Sequence, residues 1–262
     1  MKKLLIEFWH GRGDYLMLSP SIKELRKQYP KDEWYITLAV GKWNGRVYNN
    51  TYQIAYNNPN VDEVIDWNGP EYYHELDQYK KEYDKVITVE WHVHSHYPRM
   101  QEMAKSLNVT LPDFEYDVNI PESSKERVDK YISELQLNNN GLKIACSFKS
   151  GHFNYVWESE HVLVSELNKH HTVFYLTENN PYGAIPLFPR DWPVLDYIEL
   201  LSRIDIFIGF NSGPMHMAIA AKNPLVIGMF FWGDYFSRYM PRKRDIALCN
   251  NAGWMGVNPD II

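Results

Sequence analysis

The sequence predicts an α/β protein of two domains, each built on a parallel sheet with helices on both faces. Short apolar runs of strand length alternate with segments of helical periodicity along most of the chain. A polar stretch near residues 120–141 interrupts this alternation, which then starts again. The chain has 262 residues, whereas a single domain usually has about 100–150. We therefore expect domains at residues 1–125 and 126–262, with a cleft between them.

The first domain is predicted from four apolar runs and two helical segments. Residues 4–9 have the pattern of a buried strand that ends in a glycine turn at 10–14. Apolar residues then recur at helical spacing until Pro30, which cannot continue a helix. The remaining apolar runs predict strands at 34–40, 63–67 and 86–89, and a second helix at 100–107.

The second domain repeats the same alternation. A helix is predicted to open after Pro121 and to end in the polar run Asn138-Asn139-Asn140-Gly141. Beyond it the pattern predicts strands at 142–147, 172–176, 204–208 and 225–230, with helices at 160–167, 197–201 and 215–221. No internal sequence repeat is strong enough to indicate duplication.

Composition argues against several classes of protein. The net charge of −6, from 27 basic and 33 acidic residues, argues against a nucleic-acid binder. Two cysteines, Cys146 and Cys249, cannot build a disulfide framework or a structural zinc site. The apolar run at 225–232 is far shorter than the roughly 20 residues of a membrane span. With an acid at Glu7 interrupting any signal-peptide core, we expect a cytoplasmic protein, for which peripheral membrane association stays open.

The segment around residue 212 has the pattern of an anion site. A buried strand at 204–208 runs into small residues, and a helix is predicted to start near Pro214, where a missing N–H costs nothing. The N–H groups of Ser212, Gly213 and Met215 would then point out of a helix N-terminus toward a phosphate or pyrophosphate. The alternative is an ordinary strand–helix junction in which Ser212 is the N-cap.

Asp14 is the candidate catalytic residue of the first domain. The dinucleotide fingerprint G-x-G-x-x-G fails here, because Leu16 occupies the position of the third glycine. What remains is a carboxylate at the carboxyl end of the first strand, where open α/β sheets bind their ligands. Asp14 could act there as a general base. Its alternative role is to cap the following helix.

Three histidines could indicate a metal site. His92, His94 and His96 alternate, so on a strand they would share one face, as metal ligands do. Among nearby acids only Glu90 lies close in sequence. We therefore predict solvated or acceptor-contacting histidines and no metal.

Taken together, these segments resemble glycosyltransferase family 9, the heptosyltransferases of lipopolysaccharide core assembly. The run at 13–26 (GDYLMLSPSIKELR), which leads to Tyr29-Pro30, is similar to the opening of that family. Residues 58–65 (NPNVDEVI) are similar to its Pro-x-Val-Asp-Glu-Val segment. Residues 209–218 (GFNSGPMHMA) resemble its Gly-Asn-Asp-Ser-Gly-Pro-Met-His-Leu-Ala motif, the most specific match.

The resemblance implies a GT-B architecture, in which two Rossmann-like domains face each other across a cleft. It implies that the N-terminal half holds mainly the acceptor and the C-terminal half a nucleotide-sugar, with an ADP-linked sugar as one candidate and no other cofactor. The family's Asp after the first-strand glycine, here Asp14, acts as base on the acceptor hydroxyl. The reaction inverts the anomeric centre without a metal, since helix N-termini and basic side chains neutralise the leaving diphosphate.

Site residues follow from the same resemblance. The predicted donor-binding residues are Lys149, Asn211, Ser212, Gly213, Pro214, Met215 and His216, and the predicted acceptor-binding residues are His10, Arg12, Gly13, His92 and His94. Two positions depart from the family. Asn211 stands where the family has Asp, and Tyr155 where it has Lys, for which Lys149 or Arg12 could substitute.

The leading prediction is therefore an inverting, metal-independent glycosyltransferase that moves a heptose-like or other sugar to a glycan or lipid-linked glycan. One alternative is a catalytically inactive sugar-nucleotide or glycan binder of the same fold. Another is a transferase whose acceptor is not a glycan, such as modified DNA. A two-domain NAD-dependent enzyme is disfavoured because the glycine fingerprint is incomplete.

Overall fold

Two structural units make up the chain in the computed structural model. The first is Met1–Asn119 and the second is Ile120–Ile262. The structure describes residues 1–41, 49–67, 79–90, 98–135, 137, 141–148, 157, 159–175, 184–186, 192–230 and 244–249. Within these ranges no helix is long and apolar enough to cross a membrane.

The N-terminal unit contains a four-stranded parallel sheet. Its described elements are β1 (Lys2–Phe8), α1 (Arg12–Gln28), β2 (Trp34–Gly41), α2 (Asn49–Tyr56), β3 (Glu63–Trp67), β4 (Lys85–Thr88) and α3 (Arg99–Ser106). The strand order is β3-β2-β1-β4 and every pair is parallel. All four predicted strands are present, as are both predicted helices, and the sequence pattern missed only α2 among the described elements.

Helix α1 contains a proline that its neighbours accommodate. Pro20 has no N–H, so it cannot donate to the carbonyl of Leu16 one turn earlier. The hydroxyl of Ser19 donates to that carbonyl instead, at 2.7 Å. The same hydroxyl accepts a hydrogen bond from the backbone N–H of Asp117 at 2.9 Å. The Ser-Pro pair therefore keeps the helix intact and ties it to the last segment of this unit.

The C-terminal unit contains a six-stranded parallel sheet. Its described elements are α4 (Glu122–Glu134), β5 (Lys143–Ser147), α5 (Glu160–Asn168), β6 (Thr172–Tyr175), β7 (Ile185–Pro186), α6 (Val194–Ser202), β8 (Ile206–Phe210), α7 (Gly213–Ala220), β9 (Leu225–Phe230) and β10 (Ile246–Cys249). The strand order is β10-β9-β8-β5-β6-β7, again with parallel pairs. The predicted strands and helices are confirmed, and β7 and β10 are additional.

Apolar residues of the central strands form the core of this second sheet. Cys146 on β5 and Phe210 on β8 are buried, and the Phe148 ring packs edge-on against that of Trp157 at 5.1 Å between centroids. Burial raises the pKa of the Cys146 thiol, which keeps it protonated and unreactive. Arg127 of α4 contacts α6: its guanidinium donates two hydrogen bonds to the fully buried carboxylate of Asp196.

Candidate functional site

Each sheet has one point where the direction of strand addition reverses. In the N-terminal unit β2 and β3 lie on one side of β1, and β4 lies on the other. In the C-terminal unit the corresponding reversal falls between β5 and β8. Open α/β sheets bind ligands beyond the carboxyl ends of the two strands at such a point. The candidate ligand-binding segments are therefore those after β1 and β4, and those after β5 and β8.

Asp14 lies in the first turn of α1, directly after β1. Its Oδ1 accepts a hydrogen bond from Nη1 of Arg99 at 2.6 Å. Arg99 is the first residue of α3, the helix that follows β4. The reversal point of this sheet thus brings together a carboxylate and a guanidinium that are 85 residues apart in the sequence.

Asp14 does not cap its helix, which corrects one of the two sequence interpretations of this residue. The N-cap is Gly11, and α1 starts at Arg12, inside the stretch predicted as a turn. Arg12 and Gly13 are therefore helical residues of the first turn, where both are half-buried. The helix starts before the end of the predicted turn because Gly11 is its N-cap. Gly11 has the extended backbone conformation of an N-cap, although it has no side chain to make a capping hydrogen bond.

His10 occupies the short connection between β1 and α1. Burial lowers the pKa of its imidazole from the ordinary 6.5, with the Asp14 carboxylate opposing the shift and Arg99 adding to it. A hydrogen bond to the backbone of Val89, just after β4, also opposes the shift. His10 is therefore neutral at pH 7, so Arg99 is the cation that faces Asp14 from α3.

The lowered pKa of His10 should make the free energy of unfolding depend on pH. Between pH 6.5 and the lower pKa of the folded state, the unfolded chain binds a proton at His10 and the folded chain does not. The free energy of unfolding should therefore fall as pH is lowered through this window, by at most about 1.4 kcal/mol per pH unit from this residue. His10→Gln should lose this part of the slope, measured by urea titrations between about pH 7.5 and about pH 5.5. An equal slope in both proteins would contradict the assignment, and the exposed His170→Gln serves as control.

In the C-terminal unit, Gly209 allows close contact between β5 and β8, the two strands at the reversal point of the sheet. It lies on β8 opposite Ser147 of β5. A Cβ at this position would lie 2.4 Å from the carbonyl oxygen of Ser147, so a side chain would push the strands apart. Glycine is therefore required here for packing, which distinguishes it from Gly213.

The N-terminus of α7 is the segment that the sequence predicts as an anion site. The helix begins at Gly213 with Ser212 as N-cap, close to the predicted start at Pro214. Ser212 thus occupies the N-cap position of the alternative interpretation, but its hydroxyl donates to the carbonyl of Phe210 at 3.1 Å and makes no side-chain capping hydrogen bond. Among the described residues, none accepts from the N–H groups of Ser212, Gly213 or Met215. A Cβ on Gly213 would meet no atom of the described residues within 4 Å.

The other predicted donor residues lie around this helix start. Asn211 and Pro214 are half-buried, and the side chain of Asn211 has no hydrogen-bond partner in the described part of the chain. His216 is 4% exposed, and its backbone N–H donates to the carbonyl of Ser212. Lys149, His92 and His94 lie outside the described residues, as do His96 and Tyr155. Within the described ranges no group of three His, Cys, Asp or Glu side chains could hold a metal ion.

The motif at 58–65 turns out to have a structural role in the first unit. Arg26 of α1 donates to the carboxylate of Asp62 at 2.5 Å and to the carbonyls of Asn60, Tyr29 and Trp34. Asp62 also accepts from the backbone N–H of Ile36 on β2 at 2.7 Å. This network fixes the connection between α2 and β3 onto the sheet.

Sequence reasoning missed Arg99 at the site and Arg26 in this network. Nothing in the local pattern marks either residue, because each acts on a carboxylate that is distant in sequence: 85 residues for Arg99 and 36 for Arg26. The available signal was burial. Arg99 directly precedes Met100, the first apolar residue of the helix predicted at 100–107, and an arginine buried beside such a residue needs an acceptor.

No protein-family model matches this sequence. No curated protein matches it either. Solved structures do match. A family 9 glycosyl transferase from Veillonella parvula superposes with a TM-score of 0.75 at 15% identity, over 96% of this chain and 86% of that one. The chain has the fold of glycosyltransferase family 9.

Two E. coli enzymes share this fold. ADP-heptose lipopolysaccharide heptosyltransferase II gives a TM-score of 0.67 at 13% identity, over 99% of this chain and 96% of that one. Heptosyltransferase WaaC, solved with ADP, gives 0.67 at 12% identity, over 99% and 97%. These matches confirm the predicted α/β class of GT-B type and the resemblance to family 9 at the level of the fold.

Proposed function

We propose that this protein is a glycosyltransferase that moves a sugar from a nucleotide-sugar to a hydroxyl group of a glycan-type acceptor. The observation that carries the proposal is the start of α7, where three backbone N–H groups lack an acceptor among the described residues and the space at Gly213 is open. Such a helix N-terminus suits the diphosphate of a nucleotide-sugar. The family 9 fold supports the same interpretation.

The donor side of the proposal rests on the C-terminal unit. The diphosphate would accept hydrogen bonds from the amides of Gly213 and Met215, with the positive end of the α7 dipole behind them. The half-buried amide of Asn211 is available for the hydroxyls of the sugar. Because WaaC was solved with ADP and two neighbours are named heptosyltransferases, an ADP-linked heptose is the first donor to test.

The acceptor side rests on Asp14. In the proposed reaction its carboxylate takes the proton from the acceptor hydroxyl as the oxygen attacks the anomeric carbon. The bond between that carbon and the diphosphate oxygen breaks, and the leaving nucleoside diphosphate keeps the electron pair. Attack opposite to the leaving group inverts the anomeric centre. The amides at α7 stabilise the charge that develops on the leaving diphosphate, which is the role a metal ion has in other enzymes.

A lipopolysaccharide-type glycan is the acceptor class we propose, since heptosyltransferase II is named for that substrate. An inactive binder of sugar-nucleotides would keep the α7 site and show no turnover. The substitution of Asn for the family's Asp at position 211 is the feature that favours this second function.

Thermal unfolding with candidate nucleotides tests the donor site. We expect ADP and ADP-heptose to raise the Tm, because a ligand at 100 times its Kd stabilises the folded state by about 2.7 kcal/mol. Gly213→Val should keep the Tm of the free protein, since a side chain there meets open space, but should lose the ADP shift. Gly209→Ala is the matched control: it should lower the Tm of the free protein because its Cβ would collide with Ser147.

Two outcomes would contradict the proposed donor site. A Tm shift with NAD and none with ADP-, UDP- or GDP-sugars would favour a dehydrogenase. An ADP shift that persists unchanged in Gly213→Val would place the nucleotide away from α7. Once a donor is found, consumption of that donor with heptose-deficient lipopolysaccharide separates a transferase from a binder.

A further inference from the structure

Arg99 is placed to control the geometry of Asp14. Its side chain is only 9% exposed, whereas the side chain of Asp14 is 21% exposed. A buried guanidinium needs a charged partner, and Nη1 of Arg99 finds one in Oδ1 of Asp14 at 2.6 Å. Arg99 is one of the buried residues of α3, so it is the more enclosed member of the pair.

In the described part of the chain, one oxygen of the Asp14 carboxylate accepts a hydrogen bond and the other does not. Among the described residues, the hydrogen bond from Arg99 reaches Oδ1, and none reaches Oδ2. The carboxyl group is partly exposed at the carboxyl end of β1, next to the reversal point of the sheet. The arrangement therefore leaves one oxygen available to a ligand while the other is anchored.

We propose that Arg99 is a positioning residue for sugar transfer, which anchors Oδ1 of Asp14 so that Oδ2 receives the proton of the acceptor hydroxyl. This inference rests on the proposed role of Asp14 as the base. Arg99 itself exchanges no proton, because a guanidinium stays protonated throughout. The proton of the acceptor oxygen moves to Oδ2, and the ion pair through Oδ1 is kept during the step.

Arg99 suits this role better than the other basic residues near Asp14. His10, from the connection before α1, is neutral at pH 7 because burial lowers its pKa. Arg12 lies two residues before Asp14 on the same helix and is half-buried. Arg99 comes from a different helix, so it can fix the direction of the carboxylate relative to the sheet. Errors of about 1 Å in the placement of a reacting group can cost about 100-fold in rate.

A double-mutant cycle tests the positioning role with ADP-heptose and heptose-deficient lipopolysaccharide. Arg99→Gln should lower kcat by about 10- to 100-fold and leave the KM for the donor close to its original value. Arg99→Lys, which keeps the charge, should recover part of the loss. In an Asp14→Asn background, Arg99→Gln should lower kcat no further, because it acts only through the carboxylate.

A second measurement needs no substrate. The coupling constants between the Hα and Hβ protons of Asp14 report whether its side chain keeps one rotamer. We expect one rotamer in the unchanged protein and in Arg99→Lys, and rotamer averaging in Arg99→Gln. Unaltered couplings in Arg99→Gln would overturn the positioning role even if no turnover were measured.

The two proposals fail in different ways. If Arg99→Gln lowers kcat by the same factor in the unchanged protein and in the Asp14→Asn variant, Arg99 has a purely structural role and the positioning proposal is overturned. If Asp14→Asn itself leaves kcat unchanged while the donor still binds, the base assignment is wrong, whatever Arg99 does to the Asp14 rotamer.

Discussion

Asp14→Asn should lower kcat for sugar transfer by about 10²- to 10⁴-fold, the usual contribution of a general base. Asparagine has the shape of aspartate but cannot take a proton from the acceptor hydroxyl. Its amide oxygen can still accept the hydrogen bond from Arg99, so the buried guanidinium keeps a partner. Asp14→Ala would remove that partner and confuse lost catalysis with lost stability.

The measurement compares kcat with donor binding in the same variant. The Tm shift with the donor should remain, because the proposed diphosphate site belongs to the other structural unit. Asp84→Asn is the matched control: this exposed carboxylate accepts from the backbone N–H of Lys3 at the amino end of the same sheet. A variant at position 14 with wild-type kcat would remove Asp14 from the mechanism.

Arg26→Gln should destabilise the N-terminal unit by about 3–5 kcal/mol, the usual cost of breaking a buried ion pair by removing one partner. The side chains of Arg26 and Asp62 are only 10% and 16% exposed. Glutamine would leave Asp62 without its strongest donor and the carbonyls of Asn60 and Trp34 without theirs. Domains are stable by only about 5–15 kcal/mol, so the loss should be large in a urea titration.

The neighbouring residue provides a control on the same helix. Lys27 pairs with Glu24 one turn away, and its side chain is 63% exposed. Exposed pairs contribute about 0–1 kcal/mol, so Lys27→Gln should leave the urea midpoint almost unchanged. Equal effects of the two substitutions would show that burial of the Arg26–Asp62 pair does not determine its contribution.

Most of the fold could be predicted because it follows from local patterns. The buried run of β1 and the helical spacing of α1 are visible in a few consecutive residues, and Pro30 marks where that helix must end. Helix α2 was missed because it is short and carries only two buried apolar residues, Ile54 and Ala55. Strand β10 (IALC) is as short as β4 (KVIT), but it has one β-branched residue where β4 has three, so its pattern does not favour a strand.

The candidate site could be predicted only in part. The residues of the α7 start are consecutive, so their backbone geometry followed from the sequence at 204–218. The partner of Asp14 could not be predicted from the sequence, because the pairing with Arg99 depends on how α1 and α3 pack around the sheet. The same holds for the 58–65 motif: its similarity to a family segment was visible, but its use as an anchor for Arg26 required the tertiary structure.

The unsatisfied start of α7 has a consequence for the free protein. The Ser212 hydroxyl donates its hydrogen bond to the carbonyl of Phe210, and α7 has no side-chain capping hydrogen bond. Among the described residues none accepts from the first amides of α7, so an anion bound there, as proposed, would complete the helix as a cap does. If the proposed diphosphate binds there, it would therefore stabilise the first turn of α7 as well as being recognised by it.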